Sequence, residues 1–110
     1  MTCFNHLKAE CLELIPKVIN DFQIFTEIEV DVSSANRDRR LYYFIVRITA
    51  RNNTFPKQQR IMNFSQGLDV RDMENKLYSR EISHKVVDHV RLMISDMIVW
   101  CNTDFKDLEE

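Results

Sequence analysis

The sequence predicts an α+β fold of order α-β-β-β-α. This is a three-stranded antiparallel sheet with both helices packed on one face, in a single domain over residues 1–110. Three observations lead there. Ile24 to Val32 separates an apolar from a mostly acidic face with period two, and Arg40 to Arg51 resumes it with one face apolar from Tyr42 to Ala50 and one that is apolar at first and polar from Arg47. Both ends of the chain instead carry apolar residues at helical spacing. A length of 110 residues with 45% hydrophobic content can bury a core without disulfides or metal.

Thr2 to Phe22 reads as an amphipathic helix, with Thr2 as its N-cap. Phe4, Leu7, Cys11, Leu14 or Ile15, Val18 and Phe22 form its apolar stripe. Pro16 lacks the amide proton the helix needs and crowds the preceding turn. A kink is expected there, or a break with a second short helix. In the hairpin that follows, Ile24, Thr26, Ile28, Val30 and Val32 share one face of the first strand. Phe25, Glu27, Glu29 and Asp31 share the other. The second strand puts Tyr42, Phe44, Val46, Ile48 and Ala50 on the core side. Leu41, Tyr43, Ile45, Arg47, Thr49 and Arg51 lie opposite. The polar linker Ser33 to Arg39 carries no tight-turn signal, so two registers stay open. One sets Val30 against Tyr42; the other, shifted by two, sets Glu27 against Arg47. Both keep the same faces.

Asn52 to Pro56 reads as a turn, and Lys57 to Phe64 as a third strand. Met62 and Phe64 are expected inward, Ile61 and Asn63 outward. Ser65-Gln66-Gly67 is expected to end this strand, with Asp69 capping a helix from Val70 that includes Met73 and Leu77. The last helix either starts anew at Ser79 or continues from there. Its stripe is Ile82, Val86, Val90, Met93, Met97 and Cys101, widened by Val87, Ile94 and Ile98. From Leu92 to Cys101 it is apolar on almost all sides, which predicts deep burial or a partner subunit. The acidic tail Asp104 to Glu110 is expected to fray.

Composition narrows the function. The net charge of −2 lacks the basic excess of most nucleic-acid binders. Three cysteines (Cys3, Cys11, Cys101) without a CxxC spacing suggest free thiols in a cytoplasmic protein. The start, Met-Thr-Cys-Phe-Asn-His, has no basic segment followed by an apolar run, so no signal peptide is expected. No apolar run is long enough for a bilayer. One Gly makes a glycine-rich phosphate cradle implausible, and no nucleophile elbow or P-loop is present. His84 and Asp88 stand one helical turn apart, and Cys3 and His6 are at i,i+3. Neither pair nominates further ligands, so the reading is no metal, no cofactor and no enzyme.

The outer hairpin face is the unusual surface. Phe25, Leu41, Tyr43 and Ile45 point away from the predicted core, bordered by Glu27, Glu29, Asp31, Arg47 and Arg51. An exposed apolar patch rimmed by charge marks an interaction site. The expectation is a small non-enzymatic protein-binding module, inhibitor-, immunity- or chaperone-like, acting through Phe25, Glu27, Glu29, Leu41, Tyr43, Ile45 and Arg47. Its partner would be another protein or a second copy of itself. The alternative is a nucleic-acid-binding domain using Arg37, Arg39 and Arg40 in the hairpin loop. Its element order resembles that of double-stranded-RNA-binding domains. The start of the last helix, Tyr78 to Lys85, has no basic run comparable to that family's.

Overall fold

A computed structural model describes residues 2–33, 41–69 and 76–103, with the side chains of 4–31, 41–68 and 77–103. Helix α1 (Thr2–Leu14) is followed by strands β1 (Val18–Ile19), β2 (Phe22–Ser33), β3 (Leu41–Asn52) and β4 (Gln59–Asp69), then by helix α2 (Lys76–Cys101). The strands form one antiparallel sheet in the order β1-β2-β3-β4. The sheet thus has four strands rather than three.

The additional strand comes from Pro16. Ile15 precedes a proline and is steered away from helical geometry. The last helical turn tightens, with Ile15 N–H donating to the Leu12 carbonyl at 3.3 Å. No helix restarts. Val18 and Ile19 pair with Gln23 and Phe22 across a two-residue turn. Asn20 takes a φ of 52° there, a left-handed conformation that asparagine tolerates. The predicted stripe therefore splits. Phe22 is buried, but as a strand residue, and Val18 is exposed.

The β2–β3 register places Glu27 opposite Arg47, Ile28 opposite Val46 and Val30 opposite Phe44. This is the shifted alternative of the two. Val30, expected in the core, is exposed: beyond the short β1, β2 is the margin of the sheet. β4 runs on through Ser65-Gln66-Gly67 to Asp69 instead of stopping. β3 offers it partners as far as Leu41, and a strand with a waiting partner outweighs one glycine's weak preference. Leu68 becomes a fully buried residue, and Asp69 ends a strand rather than capping a helix. Val70 and Met73 lie outside the described residues. Ser79 sits inside α2.

The core joins both helices to the sheet. Phe4, Leu7 and Cys11 of α1, the predicted α2 stripe with Val87, and Phe44, Val46, Ile48 and Ala50 of β3 are all buried in one cluster. Aromatic contacts link helix and sheet along its length. Phe4 meets Tyr42 at 5.4 Å, His89 stacks on Phe64 at 3.9 Å, and Trp100 meets Phe22 edge-on at 5.2 Å. At one end of the sheet, Asn52 organises the β3–β4 turn. Its buried side-chain oxygen accepts from the N–H groups of Thr54 (2.9 Å) and Phe55 (2.8 Å). The Asn20 and Asn102 side chains are hydrogen-bonded, tying the β1–β2 turn to the end of α2. No described helix is long and apolar enough to cross a membrane.

Candidate protein-binding face

The odd-numbered face of the sheet is set out by its register. Across β2, β3 and β4 it reads Phe25–Thr49–Ile61, Glu27–Arg47–Asn63, Glu29–Ile45–Ser65 and Asp31–Tyr43–Gly67, with Leu41 beyond. All seven residues predicted for the protein-binding site occupy this face. The alternative trio, Arg37, Arg39 and Arg40, lies outside the described residues.

The register divides the predicted surface in two. Arg47 makes the divide: its Nε donates to Asn63 Oδ1 at 3.0 Å, and its Nη1 reaches Glu27 Oε2 at 3.4 Å. Both ends of that ion pair are more than half exposed, so the pair adds little stability and mainly orients the arginine. On one side of this polar belt stand Phe25 (44% exposed), Ile61 (51%) and Val18 (57%). Arg51 leans over the Phe25 ring, its Cζ 5.6 Å from the centroid. On the other side Leu41, Tyr43 and Ile45 follow one another along β3, each half-buried.

The surroundings of this second cluster are unequal. The β2 side carries Glu29 and Asp31, both exposed. The β4 side carries only Ser65 and Gly67, which leave the flanks of Ile45 and Tyr43 uncrowded. A Cβ at Gly67 would meet Tyr43 Cε1 at 3.7 Å, so the ring sits alongside the bare glycine. The face thus offers an apolar row with an acidic wall on one side and a low shelf on the other.

Sequence reasoning missed Val18 and Ile61 as members of this surface. Val18 fits the helical spacing of the first segment, and its alternation is too short to reveal a two-residue strand. Ile61 is legible as outward-facing, but nothing in the sequence sets it in one cross-strand row with Phe25, because the two flank Thr49 from opposite sides.

The other residues singled out for chemistry are dispersed or paired. His84 and Asp88 line an open groove of about 430 Å³ between the helices, with His6, Glu10, Arg80 and Arg91. Asp88 meets Arg91 at 3.6 Å, a solvated i,i+3 pair. Among the described residues no three metal-ligating side chains converge. Cys11 and Cys101 are free and buried. Burial, with a smaller contribution from Glu10, pushes the Cys11 thiol up to about 11, and burial raises that of Cys101. Such thiols are poor nucleophiles. Comparison with protein-family models, with curated proteins and with solved structures finds no match for this chain.

Proposed function

We propose that this chain is a small, non-enzymatic protein-binding module of the cytoplasm, with both helices covering the even face of its sheet and the odd face left to bind a partner. One observation carries the reading. Leu41, Tyr43 and Ile45 occupy the central strand, where burial should be greatest, yet their odd-face side chains are only partly buried while Phe44 and Val46 beside them are fully buried. Partner binding would bury that row, and Tyr43 suits such a role because it combines apolar area with a hydrogen-bonding tip. Glu27, Glu29, Phe25 and Arg47 would form the rim. The free thiols suit a reducing compartment.

Affinity capture from the native host tests the proposal. Wild-type chain and a Leu92→Glu control, altered on an exposed position of α2, are expected to recover the same partner, and Tyr43→Glu to lose it while keeping its circular dichroism spectrum. A folded Tyr43→Glu chain that captures the partner as well as wild type would exclude this face.

A further inference from the structure

β4 is hydrogen-bonded along one side only, and among the described residues no strand lies beyond it. Such an edge exposes a row of N–H and C=O groups, and natural sheets blunt theirs with charge, proline, bulges or a short covering strand. The opposite edge of this sheet is blunted. β1 covers the start of β2, with Ile24 N–H donating to the Lys17 carbonyl at 2.8 Å, and the remainder of β2 carries the like charges Glu27, Glu29 and Asp31.

β4 has none of these devices. It is eleven residues long and pairs with β3 without a bulge from Gln59 to Asp69. Ile61 to Leu68 contains neither a charge nor a proline. Its charges stand at the two ends and are opposite: Arg60 near the start, Asp69 at the finish.

We propose that β4 pairs antiparallel with β4 of a second copy of this chain, so that the two sheets continue into one of eight strands across a two-fold axis. The end charges disfavour a parallel arrangement, which would set Arg60 beside Arg60 and Asp69 beside Asp69 of the other copy; antiparallel pairing separates these like charges. A two-fold operation is isologous, so both ends benefit equally. A register centred on Phe64 keeps the helices of both copies on the same side of the joined sheet. It also sets Ile61 beside the partner copy's Gly67 position. The Phe25–Ile61 cluster of one copy then adjoins the Tyr43 row of the other, and the divided odd face becomes continuous across the seam. The pairing does not depend on the odd face binding a foreign protein.

Sedimentation of the full chain combined with residue-resolved amide exchange at low and high concentration tests this. The expected result is a concentration-dependent dimer in which alternate β4 amides gain protection while those of β2 do not change. Asn63 and Ser65, both exposed, oppose one another across the seam in this register. The double variant Asn63→Lys, Ser65→Lys therefore places like charges face to face and should weaken the dimer about tenfold or more. Leu92→Glu, at an exposed position of α2, should leave it unchanged. A chain that stays monomeric at high concentration overturns the pairing, as does a dimer whose β4 amides remain unprotected. A dimer dissociated by Tyr43→Glu but not by the two lysines also overturns it, and moves the interface to the odd face. The wild-type exchange measurement needs no variant, so a double-lysine chain that misfolds leaves the test intact. A folded Tyr43→Glu chain that still captures the partner in the preceding experiment, with the dimer retained, would fail the binding-face reading alone.

Discussion

Phe44 and Tyr43 are adjacent in the chain and opposite in surroundings. Phe44 is fully buried in the central strand, so Phe44→Ala should cost about 3–5 kcal/mol in chemical denaturation, through lost transfer energy and the cavity left behind. Tyr43→Glu should cost no more than about 1 kcal/mol in the monomer, chiefly by repulsion across the strand pair. If the order of the two were reversed, the assignment of faces would be wrong. Gly67 adopts no left-handed backbone, and an added Cβ meets only the Tyr43 and Leu41 side chains at ordinary contact distance. Gly67→Ala should therefore stabilise the fold by about 0.5–1 kcal/mol, chiefly by restricting the unfolded chain, and a measured loss would contradict that geometry. The buried thiols give a pH dependence of known sign. Cys11 keeps its proton to about pH 11 when folded, whereas an unperturbed thiol gives it up near 9.0. The Cys11 contribution is thus complete below pH 9 and lost as the pH rises through 11, and unfolding titrations across that window should show stability falling. Native-state alkylation should modify Cys3 before Cys11 or Cys101; first reaction at Cys101 would contradict its burial. The face on which each strand residue lies was legible from period-two alternation. The double acceptance by Asn52 was not, because it depends on how the following turn folds back.

At the scale of elements, α1 shows two periodicities competing for the same residues. Val18 and Phe22 are four apart and fit a helix, yet they also fit the short strands that the structure contains. Pro16 decides between these readings, and the Asn20-Asp21 turn completes the reversal. Asn20→Val should destabilise the fold by about 1–2 kcal/mol, because a β-branched residue is strained at φ 52°. A value near zero in thermal unfolding would mean that the turn relaxes freely. In β4 the conflict runs the other way: Ser65-Gln66-Gly67 looks like a terminator when read alone, yet the strand continues to Asp69. Chain-local signals cannot report that β3 extends far enough to hold those residues in the ladder. The α2 stripe was fully legible, since a long run with constant spacing needs no knowledge of its partner. What lies outside that stripe is less regular: Leu92 and Val99 are exposed, so the segment apolar on all sides is not buried on all sides.

The whole molecule is drawn out. Its radius of gyration is 16.4 Å, against about 13 Å for a compact chain of this length. The lengths of its parts account for this: twelve residues of β3 span about 40 Å, and the twenty-six residues of α2 span about 39 Å. Helix and strand run the same distance, and the core between them is a band closed by Phe4–Tyr42 towards one end and Phe22–Trp100 towards the other. Because the buried residues form one contiguous cluster, unfolding should be a single cooperative event. Trp100 is the sole tryptophan and sits at one end of the band. Its fluorescence should change at the same denaturant midpoint as the circular dichroism of the whole chain. A Trp100 transition at lower denaturant would show that this end opens independently. The fold class was legible from the order of periodicities. The division of the odd face was not, because it follows from cross-strand register, which two equally consistent alternations left open.

The pairing of Ser33 with Leu41 fixes the two mouths of the hairpin loop on neighbouring strands, about 5 Å apart. Whatever chain is spliced between them, the closure is already made by the ladder below. The entropy of a longer insert grows only logarithmically, by about 0.6 kcal/mol for each doubling of length. The β2–β3 ladder is therefore a ready mount for a grafted peptide, and one that delivers it directly beside the Leu41–Tyr43 row.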